Sequence, residues 1–148
     1  MIWNPNRAVT LEHLQSLSKD TMAEYLGIEF VEIGEDYLVA RMPVDHRTKQ
    51  PFGLLHGGAS VALAETLGSI AAALVIDHNT SLPVGLEINA NHMRSVKEGY
   101  VYGTVRPFHC GRTTHVWEIK ITNEEQKLVC VSRITVAILQ LQDDNKAS

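Results

Sequence analysis

The sequence predicts an α+β fold, an antiparallel sheet wrapped around one long central helix, and three observations carry that prediction. Twenty residues between His56 and Asp77 hold a single ionisable side chain, Glu65, in an otherwise apolar or small-residue run. Downstream, four runs rich in β-branched and aromatic residues, at 82–93, 100–108, 113–122 and 128–139, are separated by turn-like segments at 96–99, 109–112 and 123–126. Upstream, runs at 28–33 and 37–44 flank Gly34-Glu35-Asp36, which reads as a hairpin turn. Strands segregated around one helix pack as a sheet over its apolar surface.

In chain order, residues 10–17 read as a short helix with Thr10 as its N-cap, and 20–26 as a second helical piece. The run at 57–76 is long enough to cross a bilayer by length alone. Glu65 at its centre and the lack of basic or aromatic flanks argue instead for a helix buried in protein. In 115–121 the residues His115, Trp117, Ile119 and Ile121 share one parity and Val116, Glu118 and Lys120 the other, so the first set belongs on the core face. A sheet of this kind leaves open edges, and pairing with a second copy closes them.

With 148 residues, 45% hydrophobic and 20% charged, the chain suits one domain over 1–140, followed by a polar, frayed tail over 141–148. A net charge of −4 with no basic run excludes general nucleic-acid binding. Cys110 and Cys130 lack metal-ligand or redox spacing, and residues 1–7 lack a signal-peptide pattern, so a reducing cytoplasm is expected. His13, His46, His78, His109 and His115 are too scattered for a metal site. No phosphate-binding glycine fingerprint or Gly-x-Ser-x-Gly turn occurs, so neither a metal, a cofactor nor a serine nucleophile is expected.

The chemistry gathers at the start of the long helix. A helix beginning near Gly57 offers unpaired N–H groups and the positive end of its dipole, and Gly57 lets a substrate oxygen approach the backbone as in an oxyanion hole. Glycines before a helix also serve as plain turns, with His56 a simple cap. Gln50, six residues before His56, adds a neutral donor for the same carbonyl. Glu65 stands among Ala62, Leu63, Ala64, Thr66 and Leu67, where burying an unpaired carboxylate is costly, so a task is expected for it. Ser69, at i+4, shares its face and either orients the carboxylate or a water, or bonds back to its own helix.

In order and spacing, Gln50, His56, Gly57, Glu65 and Ser69 resemble the hotdog-fold acyl-CoA thioesterases. The likeness is greatest to the branch of 1,4-dihydroxy-2-naphthoyl-CoA hydrolases of menaquinone synthesis, enterobactin proofreading thioesterases and glutamate-dependent 4-hydroxybenzoyl-CoA thioesterases. It extends over 2–139 and is sharpest at 42–45, 47–58, 63–69, 85–92 and 132–133. The resemblance implies dimers that pair sheet edges, often two dimers per tetramer. It also implies active sites where Gln50, His56 and Gly57 of one subunit meet Glu65 and Ser69 of the other. The implied reaction is hydrolysis of an acyl thioester, the carbonyl held by the Gly57 N–H and Gln50, with Glu65 as nucleophile or general base and Ser69 orienting it or the water. His92 and Arg94 match positions at the acyl pocket and CoA entrance, and Arg112 a contact to a CoA phosphate. Aromatic or β-hydroxyacyl-CoA is the implied substrate, with acyl carrier protein as a second possible donor. The chain departs from the pattern at Cys110, where relatives usually carry an aliphatic residue, in the length of the 77–81 loop, and beyond Gln140. Two further readings stand beside this one: a dehydratase or hydratase of the same fold, in which the loop histidine is the essential base, and a non-catalytic acyl-CoA binding protein, whose pocket needs no central carboxylate.

Overall fold

The structure, a computed structural model, describes residues 1–142. Helices α1 (Leu11–Leu17) and α2 (Met22–Tyr25) precede strands β1 (Glu29–Ile33) and β2 (Leu38–Pro43), then helix α3 (Gly57–Val75), then β3 (Ser81–His92), β4 (Tyr100–Cys110), β5 (Thr114–Thr122) and β6 (Leu128–Gln140). Every pairing is antiparallel, and one six-stranded sheet runs in the order β1-β2-β4-β5-β6-β3. Because β2 lies beside one edge and β3 forms the other, α3 carries the chain across the inner face of the sheet. Bulges at Phe30/Glu32, Gly85/Glu87 and Pro107/His109 bend the strands around it. The expected architecture is therefore present, down to the Thr10 hydroxyl accepting the His13 N–H at 3.1 Å as an N-cap and the Gly34 N–H donating to the Tyr37 carbonyl at 2.8 Å in the hairpin turn.

The inner stripe of α3 is Ser60, Leu63, Ala64, Leu67, Gly68, Ala71, Ala72 and Leu74, a three-and-four spacing that faces one side. It meets buried Trp117, Ile119 and Ile121 of β5 and Ile134, Val136 and Ile138 of β6. His115 is buried with them, so the parity read from 115–121 is the one the fold uses. The helix lies so close to the sheet that a Cβ on Gly68 would sit 2.5 Å from Ile134 Cγ2, and one on Gly103 2.6 Å from Leu67 Cδ1. Each large aliphatic side chain buried in this contact contributes about 1.5–3 kcal/mol.

The C-terminal end of α3 is held by a segment for which the sequence pattern indicates no element. The Asn4 N–H donates to the Leu74 carbonyl at 2.9 Å and the Asn4 amide to the Ile76 carbonyl at 3.1 Å. The Arg7 guanidinium at 3.0 Å and the His78 ring at 2.9 Å both reach the Ala73 carbonyl. Trp3 stacks on Trp117 with ring centroids 6.4 Å apart. These donors satisfy the helix's last carbonyls where no glycine stop exists.

The sequence suggests a helix buried on all sides, and the chain corrects this. Gly58, Glu65 and Ser69 are exposed, and Val61, Ala62, Thr66, Ile70 and Ala73 are half-buried, so one face of α3 is left uncovered. By length and mean hydropathy (19 residues, 1.6) α3 could cross a membrane, but half of it is buried here as the core helix. At the other end of the chain, the Leu141 N–H donates to the Thr80 carbonyl at 2.8 Å, tying down the first residue of the polar tail. Residues 143–148 lie outside the described residues.

Candidate active site

The loop between β2 and α3 is built from its own hydrogen bonds. The Asp45 carboxylate accepts the Arg47 N–H at 2.9 Å and its guanidinium at 2.7 Å, and the hydrogen bond from the Arg47 side chain is the main reason its pKa is held at about 2. The Gln50 N–H donates to the Leu54 carbonyl at 2.8 Å, and the Gly53 N–H to the Gln50 carbonyl at 2.9 Å. Gly53 has φ +79°, a left-handed turn position that favours glycine. The Gln50 Oε1 accepts the Phe52 N–H, which turns the amide so that its NH₂ is the end left to donate.

His56 caps α3. Its Nδ1 accepts the Gly58 N–H at 2.7 Å, so in the neutral ring the proton resides on Nε2. Its own N–H is held by the Thr48 carbonyl at 2.8 Å. Next to it, the Gly57 N–H donates to no group among the described residues, and it opens at the positive end of a 19-residue helix.

Gln50, Gly57, His92 and Arg94 line one cleft of about 410 Å³ together with Ser60. His92 ends β3 on the inner side of the sheet, and its ring lies against Gly57 so closely that a Cβ there would be 2.9 Å from Nε2. Four of the eight expected site residues thus converge within one chain.

The other four do not join them. His56 lines a separate groove of about 300 Å³ beside Met22, Leu26 and Ala62. Glu65 is exposed on the uncovered face of α3, with Oε1 3.7 Å from where a Cβ on Gly85 would stand, and Ser69 is exposed beside it. The expectation of a buried carboxylate therefore fails for the single chain, because the apolar neighbours of Glu65 turn inward while it turns out. Arg112 is exposed in the turn after β4, its carbonyl near the Gln140 amide at 3.5 Å, at the end of the sheet where β3 begins. His92 stands at the far end of that 12-residue strand, about 36 Å away at the usual rise.

Two residues escape a reading by sequence. Ser60, 1% exposed, lines the cleft one turn into α3, and its i+3 relation to Gly57 is the signal that finds it. Thr48, 2% exposed, carries no sequence signal beyond its place in the loop. Among the described residues no group of three or more His, Cys, Asp or Glu is placed to hold a metal ion.

Residues 52–130 match the thioesterase superfamily. The chain is 53% identical over 139 residues to the 1,4-dihydroxy-2-naphthoyl-CoA hydrolase of Escherichia coli, covering 94% of this chain and 100% of that one. It is 52% identical over 139 residues to the proofreading thioesterase EntH of Cronobacter sakazakii, covering 94% and 99%. The crystal structure of a thioesterase from Haemophilus influenzae is similar with a TM-score of 0.91 at 48% identity, covering 98% of this chain and 99% of that one. That of a mutant thioesterase from Pseudomonas aeruginosa has a TM-score of 0.91 at 45% identity, covering 95% and 100%. The chain belongs to the thioesterase superfamily and has the hotdog fold; it is an enzyme that hydrolyses thioesters.

Proposed function

We propose that this enzyme hydrolyses acyl-CoA thioesters in the cytoplasm, aromatic acyl groups foremost, at sites shared by two subunits. The observation that carries the reading is the convergence of two donors unpaired among the described residues, the Gly57 N–H and the Gln50 NH₂, on one cleft with His92 and Arg94. Two donors aimed at one carbonyl oxygen stabilise the negative charge it gains as the carbon becomes tetrahedral, each by about 3–4 kcal/mol. Arg94 suits a phosphate of CoA at the mouth of the cleft. The preference for aromatic acyl groups comes from the relative named as a 1,4-dihydroxy-2-naphthoyl-CoA hydrolase, and with it a place in menaquinone synthesis.

The carboxylate comes from a second chain. β3 is an edge strand with Leu82, Val84 and Leu86 exposed, and the adjoining face of α3 is uncovered. Both features support antiparallel pairing of two β3 edges into a homodimer, which stacks into a tetramer if two dimers associate. Such pairing reverses one sheet against the other, bringing the partner subunit's Glu65 and Ser69 toward the Gly57 cleft and the partner's Arg112 toward the His92 end. Glu65 then either attacks the carbonyl carbon, expelling the CoA thiolate to leave an anhydride that water cleaves, or takes a proton from the water that attacks. Ser69 orients the carboxylate or that water. Single turnover in ¹⁸O-water separates the two routes, since label entering the Glu65 carboxylate requires the anhydride.

His56 supports hydrolysis over dehydration. Its Nδ1 lone pair is engaged by Gly58 and its Nε2 bears a proton, so the ring has no nitrogen ready to act as a base. Thiol release from benzoyl-, hydroxynaphthoyl-, short-chain and palmitoyl thioesters, on CoA and on carrier protein, tests the proposal. The expected order puts the two aromatic CoA esters at least about tenfold above palmitoyl-CoA in kcat/KM. Hydration of a crotonyl thioester without thiol release overturns it.

A further inference from the structure

We infer that Thr48 is a positioning residue that sets the separation of the two carbonyl-binding donors, an inference that rests on the roles proposed above for Gln50 and Gly57. Thr48 is 2% exposed, and all its polar groups are engaged within one loop. Its hydroxyl donates to the Pro43 carbonyl at 2.7 Å and accepts the Asp45 N–H at 3.1 Å, which fastens the loop to the end of β2. Its N–H donates to the Asp45 carbonyl at 3.0 Å, and its own carbonyl accepts the His56 N–H at 2.8 Å.

These bonds place Thr48 between the two donors. In one direction its carbonyl holds the cap residue whose next neighbour is Gly57. In the other, Gln50 follows two residues on, at the start of the turn closed by the Gln50 N–H on the Leu54 carbonyl and anchored by the Leu55 N–H on the Val96 carbonyl at 2.8 Å. The loop therefore takes its position from a buried hydroxyl that itself lies outside the cleft lining. Valine has nearly the shape of threonine but would leave the Pro43 carbonyl and the Asp45 N–H without their partner. The loop would then shift to find other partners, and displacements of about 1 Å at reacting groups cost on the order of a hundredfold in rate.

The test compares Thr48→Val, Thr48→Ser and Gln50→Ala, singly and with Thr48→Val combined with Gln50→Ala, using benzoyl-CoA as substrate and CoA as the binding probe. Thr48→Val is expected to lower kcat by about tenfold or more while CoA binding stays within about twofold. Thr48→Ser, which keeps the hydroxyl, should hold kcat within about twofold. In the Gln50→Ala background Thr48→Val should cost markedly less than in the wild type, because one of the donors it places is already gone. If Thr48→Val does not fold, Thr48→Cys, with a weaker donor of similar size, carries the same expectation with a smaller loss. Unchanged kcat in the Val or Cys variant, an equal loss in both backgrounds, or a loss in Thr48→Ser as large as in Thr48→Val overturns the inference. Full activity in Gln50→Ala overturns the oxyanion reading itself, whereas an impaired Gln50→Ala beside a fully active Thr48→Val removes only the role of Thr48.

Discussion

Gly57 and Glu65 lie on the same helix eight residues apart, which separates them by about 12 Å along its axis and turns their side-chain directions by about 80°. The Gly57 N–H points off the N-terminal end, away from Glu65. In the single chain the Gly57 N–H and the Glu65 carboxylate therefore open at different points along the helix and in different directions.

Complementation between chains follows. Glu65→Gln is expected to lose about 10²–10⁴-fold in kcat and Gln50→Ala about 10²–10³-fold. When the two inactive proteins are unfolded together and refolded, half the dimers carry one lesion of each kind, and one of the two sites in each is intact. Thiol release should recover to about a quarter of wild type, given random pairing about a two-fold axis. No recovery would place each site within one chain.

Gly57→Ala tests the close approach of His92. The added methyl would stand 2.9 Å from the imidazole Nε2 and crowd the space next to the N–H proposed to receive the carbonyl. The expected loss is at least about tenfold in kcat/KM, with a melting temperature close to wild type because Gly57 has ordinary helical backbone and the cleft is open. A fully active Gly57→Ala enzyme would show that the His92 ring moves aside freely.

The stacked tryptophans link the first residues to the core. Trp3 is 4% exposed and lies against Trp117, and its Nε1 donates to the Gly34 carbonyl at 2.8 Å. Trp3→Ala should destabilise the fold by about 3–5 kcal/mol in urea titrations. The chain has two tryptophans, so fluorescence reports on this pair alone, and a transition in Trp3→Ala that matches wild type would refute the clamp.

Stability should fall on the acid side through His115. It is 2% exposed with Nδ1 unpartnered among the described residues, and burial first, then the nearby His109, pushes its pKa below the ordinary value. A lowered folded-state pKa means that the unfolded chain takes up a proton which the folded chain refuses. The contribution of His115 is thus fully present above about pH 6.5 and is lost as pH falls through the folded value. Denaturation midpoints between pH 7.5 and 5 should drop in the wild type and drop less in His115→Phe; identical slopes would remove His115 as the cause.

Much of this was legible in local sequence. The alternation in 115–121 named the core face of β5 because successive side chains of a strand point to opposite sides, and Thr10 announced its helix because a hydroxyl there meets an N–H three residues on. The uncovered face of α3 was not legible, since Ala62, Ile70 and Ala73 are as apolar as the residues that the sheet covers. Nor was the clamp made by Trp3, Asn4 and Arg7, because bonds to Ala73 and Leu74 join residues about seventy positions apart. Nor was the separation of Arg112 from His92 within one chain, since strand order puts them at opposite ends of β3.

By itself the sequence determined the kinds of element and their order, and it put Gln50, His56 and Gly57 close together at the start of α3, because hydrophobic period, caps and turn residues act over a few positions. Tertiary structure decided which of those residues meet. Placing β3 at the sheet edge leaves one face of the helix open, and a rise of 1.5 Å per residue sets Glu65 about 12 Å along the axis from its own Gly57. Such distances come from non-local strand pairing and helix geometry together, and no short stretch of residues encodes them.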